Sequence, residues 1–277
     1  MPTLLSGTAA RDALIPGLID KIKALPRAPK LAIIQVGSRP DSNAYISSKK
    51  SFGAKIGVTV EHVALEEAIS QKNLIGAIRV CNKDASIDGV IVQLPLPHTI
   101  DREAVIEAID PAKDVDGLTS AQGKKFAAGA SDAVTPATAR GVKELLSFYK
   151  LGMAGKNVVI VGRSKLVGGP IAVIAKNEGA HVTICHSQTP DLAAETKKAD
   201  ILIVAVGKPG LITTDHVKEG SVVVDIGTTR ATGDALAGDV DHEAVNDIVS
   251  AITPVPGGVG PMTVFGLFEN LIDLFKV

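Results

Sequence analysis

Val158-Val159-Ile160-Val161-Gly162-Arg163-Ser164 is a β-branched run that breaks on a glycine. Four consecutive Val and Ile residues bounded by a turn suit a strand buried on both faces. A helical stretch near 168–178 follows, and His181-Val182-Thr183-Ile184-Cys185 then reads as a second strand. Strand, tight turn, helix and strand make the βαβ unit of a parallel sheet. Apolar runs at 201–206 and 221–226 extend it. This is the order expected of a doubly wound nucleotide-binding domain, whose first strand-to-helix turn sets a phosphate on a helix N-terminus. The glycine spacing is not G-x-G-x-x-G, so the turn by itself is a weak fingerprint.

The same alternation occupies the first half. Leu31–Val36, Val58–Val63 and Gly89–Gln93 read as strands, with helices predicted over 41–55, 70–82 and 101–109. Asp41 or Ser42 is the expected cap of the first of these helices. The third strand stops at Pro95 and Pro97, which cannot donate to a ladder. A helix over 138–149 bridges the halves, and a helical segment at 262–277 is expected to return to the first domain.

A chain of 277 residues is long for one core and predicts two domains. Its 45% hydrophobic and 21% charged residues are ordinary for a soluble globular protein. A net charge of −1 gives no sign of a nucleic-acid or anionic-membrane partner. Runs such as Ile201–Val206 are far too short to cross a bilayer, and no secretory signal is evident at the N-terminus. Cys81 and Cys185 form no ligand cluster, which predicts reduced thiols and a cytoplasmic protein.

Several residues carry chemistry. Tyr45 and Lys49 are four apart on a predicted helix and share a face. An isolated Y-x-x-x-K is more often a surface pair. The short-chain dehydrogenase reading fails on order, because there the pair follows the nucleotide turn and here it precedes it. Gln93 ends a strand, where ligands of open α/β sheets bind, although a strand-terminal amide can equally serve backbone. Asp114-Val115-Asp116-Gly117 resembles a calcium loop, but Thr119 and Lys125 stand where that loop needs Gly and an acid. A capped turn remains open for it. Asp239-Val240-Asp241-His242 reads as a helix cap, and no metal is assigned. Cys185-His186-Ser187 lacks the acid that usually holds the NAD ribose, so Arg163 and Ser187 point to the extra phosphate of NADP. Thr253-Pro254-Val255-Pro256-Gly257-Gly258-Val259-Gly260-Pro261-Met262-Thr263 is too rich in Gly and Pro between 256 and 260 for helix or regular strand.

In chain order, Tyr45-x-x-x-Lys49, Val92-Gln93-Leu94-Pro95-Leu96-Pro97, Lys113-Asp114-Val115-Asp116-Gly117, Gly162-Arg163-Ser164-x-x-Val167-Gly168-x-Pro170 and the 253–263 stretch resemble the methylenetetrahydrofolate dehydrogenase/methenyltetrahydrofolate cyclohydrolase family over about residues 37–263. The resemblance implies an N-terminal α/β catalytic domain (1–120 plus 262–277) and a Rossmann-like NADP-binding domain (138–260), with a cleft between them. It implies that Lys49 is the central acid/base group, with Gln93 and Tyr45 completing the catalytic set. Substrate contacts would come from Tyr45, Lys49, Val92, Gln93, Leu94, Asp116, which takes the pterin's guanidine-like edge, and the loop Pro256, Gly257, Gly258, Val259 and Gly260. NADP would be held by Thr138, Gly162, Arg163, Ser164, Ser187 and Thr228. The implied substrates are tetrahydrofolate derivatives and the implied assembly a homodimer. Pro136-Ala137-Thr138-Ala139 departs from the family's P-C-T-P by lacking its second proline.

Overall fold

The computed structural model describes residues 1–230 and 236–275. They fall into two compact units, one of Met1–Ala13 with Thr138–Phe265 and the other of Leu14–Ala137 with Gly266–Val277. The chain opens with β1 (Thr3–Leu4) and α1 (Gly7–Lys23), neither of which was expected from the sequence.

The unit that starts at Leu14 is built on β2 (Lys30–Val36), α2 (Pro40–Ile56), β3 (Thr59–Leu65), α3 (Gln71–Lys83), β4 (Gly89–Val92), α4 (Arg102–Ile106) and α5 (Ser120–Ala127). Its three strands are parallel in the order β3-β2-β4, with Leu31 opposite Gly89 and Ile34 opposite Val92. Strand side chains alternate, so Ala32, Ile34 and Val36 pack on Leu74, Ile78 and Cys81 of α3. Asp41 and Ser42 do not cap α2. Arg39 is its N-cap without a side-chain bond, and Pro40 fills the first turn, where a missing N–H is harmless.

The other unit continues with α6 (Ala137–Phe148), β5 (Asn157–Val161), α7 (Gly168–Asn177), β6 (His181–Cys185), α8 (Leu192–Thr196), β7 (Ile201–Val204) and β8 (Val222–Asp225). The two-residue strands β9 (Thr229–Arg230) and β10 (Leu236–Ala237), then α9 (His242–Val245), β11 (Ala251–Ile252) and α10 (Val259–Phe275) complete the chain. Its sheet runs β1-β11-β8-β7-β5-β6, and every pairing is parallel. The predicted βαβ unit around Gly162 is therefore present, with Val159, Val161, Leu202, Val204 and Val223 in one core.

Two sequence expectations change here. Residues 1–13 join this unit rather than the first domain, because Thr3 and Leu4 pair with Ala251 and Ile252. Val259 and Gly260 lie inside α10, which starts three residues before the expected 262; Pro261 sits in its first turn, where proline is tolerated. Positions 276 and 277 of the expected helix lie outside the described residues. Residues 266–275 of α10 belong with the Leu14–Ala137 unit and set Phe268 edge-on to Phe52 at 5.3 Å.

Two helical glycines separate packing from propensity. A Cβ on Gly53 would lie 2.6 Å from Val60 Cγ2 and 3.3 Å from the Phe268 ring, whereas one on Gly76 meets nothing within 4 Å. Gly76→Ala should stabilise by about 0.5–1 kcal/mol, and Gly53→Ala should destabilise by about 1–3 kcal/mol. Urea midpoints of the two variants check this, and shifts of the same sign would refute it.

Candidate active site

The turn after β4 sets the site. Val90 forms a parallel bridge with Asp114, which brings residues 113–119 alongside β4. Asp114 is fully buried, and its carboxylate accepts from the N–H groups of Gly117 at 2.9 Å, Leu118 at 3.2 Å and Thr119 at 2.7 Å. Thr119 in turn caps α5 by accepting from Gln122 N. Asn270 Nδ2 donates to Val115 O and Thr135 O, both at 2.8 Å, and so ties the turn to α10. The capped-turn role therefore belongs to Asp114. Asp116 makes no side-chain hydrogen bond to a described residue, which leaves its carboxyl group available.

α2 carries Tyr45 and Lys49 one turn apart, and β4 delivers Gln93 just past its end. Lys49 Nζ donates to Gln93 Oε1 at 2.8 Å, and Gln93 Nε2 donates to Leu94 O at 2.8 Å. The second bond orients the amide so that its oxygen faces the ammonium. Burial lowers the Lys49 pKa, partly offset by the negative charge of Asp116. Burial likewise pushes Asp116 up to about 6, with Lys49 opposing the rise and Asp114 adding to it. The lysine residue is only partly covered overall, but its amine end is well removed from water. Tyr45 remains 40% exposed, Val92 is buried and Leu94 is half-buried. One face thus presents a lysine drawn toward neutrality, an oriented amide, an open carboxyl group and an aromatic ring.

The remaining candidates lie in the other unit. Gly162 has φ +123°, and a Cβ there would be 2.4 Å from Ala205 O; one on Gly168 would be 2.0 Å from Gly162 O. The turn closes so tightly that only glycine fits at either position. Val167, the N-cap of α7, offers no side-chain acceptor, while Ser164 Oγ accepts from Val167 N at 3.2 Å. Gly162 N donates to Cys185 O at 2.9 Å and ties this turn to the end of β6; Arg163 and Ser187, one and two residues beyond those bonded positions, are both exposed. An uncapped helix start beside an exposed arginine and two serines suits a phosphate-bearing nucleotide. Thr228 is exposed beyond β8, and Thr138 lies in α6, where its Oγ1 accepts from Thr263 Oγ1 at 3.5 Å; neither touches the Gly162 turn in a hydrogen bond.

The loop 256–260 divides by cause. A Cβ on Gly258 would lie 2.5 Å from Pro254 O, and one on Gly7 would lie 1.8 Å from Gly258 O, so Gly258 answers to packing within its own unit. Gly257, at φ +98°, would set a Cβ 3.8 Å from Thr8 Oγ1, an ordinary contact, and only at Gly260 would a Cβ meet nothing within 4 Å. Pro256, preceded by a cis peptide bond, is exposed, whereas Val259 is buried. In Asp239–His242 the structure corrects the cap reading in part. Asp241 caps α9 through Ala244 N, but Asp239 accepts from Val206, Gly207 and Lys208 instead.

Residues 5–116 match the family model for the tetrahydrofolate dehydrogenase/cyclohydrolase catalytic domain, and residues 136–277 match that for the NAD(P)-binding domain of the same enzymes. The chain belongs to the tetrahydrofolate dehydrogenase/cyclohydrolase family. The bifunctional protein FolD of a Sulfurihydrogenibium species is 47% identical over 251 residues, 90% of this chain and 88% of that one. The crystal structure of the FolD enzyme of Campylobacter jejuni superimposes with a TM-score of 0.95 at 40% identity, covering 100% and 99% of the two chains. That of Trypanosoma brucei, complexed with NADP cofactor and inhibitor, gives 0.93 at 34% identity over 99% and 97%. Membership makes this a two-domain α/β enzyme of one-carbon folate metabolism with an NAD(P)-binding domain. No helix among the described residues is long and apolar enough to cross a membrane.

The sequence reading of this family member missed Asn270 and, while assigning Asp116, gave Asp114 no role of its own. Asn270 carried no signal, because nothing local connects it with Val115. Asp114 had one: its place three residues before a glycine is an Asx-type turn signature.

The raised Asp116 pKa has a consequence for stability. The folded chain holds that proton to higher pH than the unfolded chain, whose carboxyl titrates near 3.8. The associated stability is complete below about pH 4 and is lost as pH rises through about 6. Asp116→Asn removes the titration, so its melting temperature relative to wild type should climb between about pH 4 and pH 7. Parallel thermal melts across that range check it, and a constant difference would rule it out.

Proposed function

We propose that this enzyme oxidises 5,10-methylenetetrahydrofolate to 5,10-methenyltetrahydrofolate with NADP, and hydrolyses that product to 10-formyltetrahydrofolate. The observation that carries the reading is the 2.8 Å bond from Lys49 Nζ to Gln93 Oε1 within reach of the Asp116 charge. Pterin binding alone needs no such pair. Asp116 offers the acceptor for two parallel N–H bonds from the pterin edge, and Tyr45 offers an exposed ring beside it.

NADP, when bound, supplies the acceptor for the hydride that leaves the methylene carbon. Gly162, Arg163, Ser164 and Ser187 would hold it, with Thr138 and Thr228 as further contacts. Arg163 and Ser187 would hold the phosphate that distinguishes NADP from NAD, a reading supported by the missing acid after β6 and by the Trypanosoma brucei relative's complex with NADP.

The oxidation product is a cation, and a lysine that loses its proton easily avoids setting a second positive charge against it. In the hydrolytic step the water oxygen bonds to the cationic carbon while its proton passes to the Lys49 amine. The bond from that carbon to the pterin-ring nitrogen then breaks, Lys49 returns the proton to that nitrogen, and the carbon's hydroxyl becomes the formyl C=O as its own proton is released to solvent. Gln93 holds the amine in place throughout. The loop 256–260, with Val92 and Leu94, supplies the remaining substrate contacts. The enzyme works in the cytoplasm as a homodimer.

The direct test is absorbance from NADPH when the protein meets methylenetetrahydrofolate, with NADP and NAD in parallel. Lys49→Met should lower hydrolysis of methenyltetrahydrofolate by about 10²–10⁴-fold while folate still binds. Unchanged hydrolysis would remove Lys49 from the chemistry. Arg163→Ala should lower kcat/KM with NADP far more than with NAD; an equal fall in both would assign Arg163 to the shared pyrophosphate or to the fold.

A further inference from the structure

Two carboxylates in the Met1–Ala13 and Thr138–Phe265 unit are fully enclosed yet take no part in the chemistry above. Asp225, the last residue of β8, is 1% exposed and Asp239 is 0% exposed. We propose that Asp225 and Asp239 are positioning residues for the nicotinamide nucleotide, shaping the two loops that receive it. The inference rests on the assignment of this unit to NADP.

The bonding is specific. Asp225 Oδ1 accepts from Gly227 N at 2.9 Å and Asp239 N at 3.0 Å, and Oδ2 accepts from Val240 N at 3.0 Å. One side chain thus joins the start of the β9–β10 excursion to its return. Asp239 Oδ2 accepts from Val206 N at 2.7 Å and Gly207 N at 3.0 Å, and Oδ1 from Lys208 N at 2.6 Å. The return segment is thereby fastened to the loop that follows β7. Thr253 Oγ1 accepts from Asp225 N at 2.8 Å and carries the link to the segment after β11.

The glycines confirm that carboxylates and loops form one piece. A Cβ on Gly227 would lie 2.4 Å from Asp239 Cγ, and one on Gly238 would lie 1.9 Å from Asp225 Oδ2. Residues 205–208 and 226–228 follow the carboxyl ends of β7 and β8, the edge at which parallel sheets take their ligands. Thr228, a candidate nucleotide contact, comes directly after Gly227. Removing two carboxylates from water is costly unless each is met by donors, and here six backbone N–H groups meet them. The arrangement holds a binding edge in shape before the ligand arrives, which lowers the ordering cost of binding.

Asp225→Asn and Asp239→Asn each replace an acceptor oxygen with a donor that faces backbone N–H. The full chain of each variant is compared with wild type by NADPH titration, by thermal melt and by hydrolysis of methenyltetrahydrofolate, a reaction that consumes no cofactor. The expected result is a rise of about tenfold in the NADPH Kd. The KM for NADP should rise with it, with kcat and hydrolysis held within about twofold. A folded variant pair with wild-type NADPH affinity overturns the inference. So does a fall in hydrolysis that matches the loss of binding, or failure of both variants to fold, because each marks a purely structural role. A wild-type chain that does not bind NADPH overturns the cofactor assignment itself and the inference with it.

Discussion

The Asp114 carboxylate, closed off from water, must find donors, and it finds them in the N–H groups of the next turn. That requirement bends residues 114–119 around a single side chain and turns Asp116 away from the backbone. The carboxyl group of Asp116 then lies close enough to Lys49 for each to oppose the other's burial-driven pKa shift. Lys49 is in turn held by an amide that β4 delivers and Leu94 O orients. One desolvated aspartate thus sets the turn that carries Asp116, the proposed pterin acceptor, to the charge of Lys49, the proposed acid/base group.

The same division of labour recurs in the other unit. Asp114 and Asp116 are two residues apart, one spent on backbone and one left open. Asp239 and Asp241 are also two apart: one binds the loop after β7, and the other caps α9. A D-x-D pair looks metallic when read as letters, because both acids are assumed to point the same way. Burial decides otherwise. In each pair one acid is taken by several backbone N–H groups at once, and the other is left for a separate task, the α9 cap for Asp241 and the approach to Lys49 for Asp116.

Most of the architecture was legible in the sequence because its signals are local. The β-branched runs at 31–36 and 158–161, the glycine at 162 and the prolines at 95 and 97 each carry their own conformational instruction. Lys49 and Gln93 were legible as types of residue at the right ends of elements. What escaped notice depends on distant partners. Thr3 and Leu4 are too short a run to announce a strand, and they become one only because Ala251 and Ile252 lie open beside them. α1 carries Pro16 in its middle, which reads as a break. That Gly258 must be glycine for packing was hidden too, because Pro254 and Gly7, which crowd it, are distant or unremarkable as letters. The start of α10 at Val259 was hidden by Gly260 and Pro261, residues that a first turn accepts and a helix interior does not.

The unit that carries Lys49 is discontinuous, since residues 266–275 supply Phe268 against Phe52 and Leu271 beneath Gly89. During synthesis on the ribosome, β2, β3 and β4 emerge early, but Phe52 and Gly89 wait for Phe268 and Leu271 until the last turns of α10 leave the exit tunnel. The Rossmann-like unit meanwhile has nearly all of its own chain in hand. A nascent polypeptide stalled near residue 265 would hold a nearly finished nucleotide domain and an unfinished catalytic one. It would be the half made first that still needed shelter from chaperones.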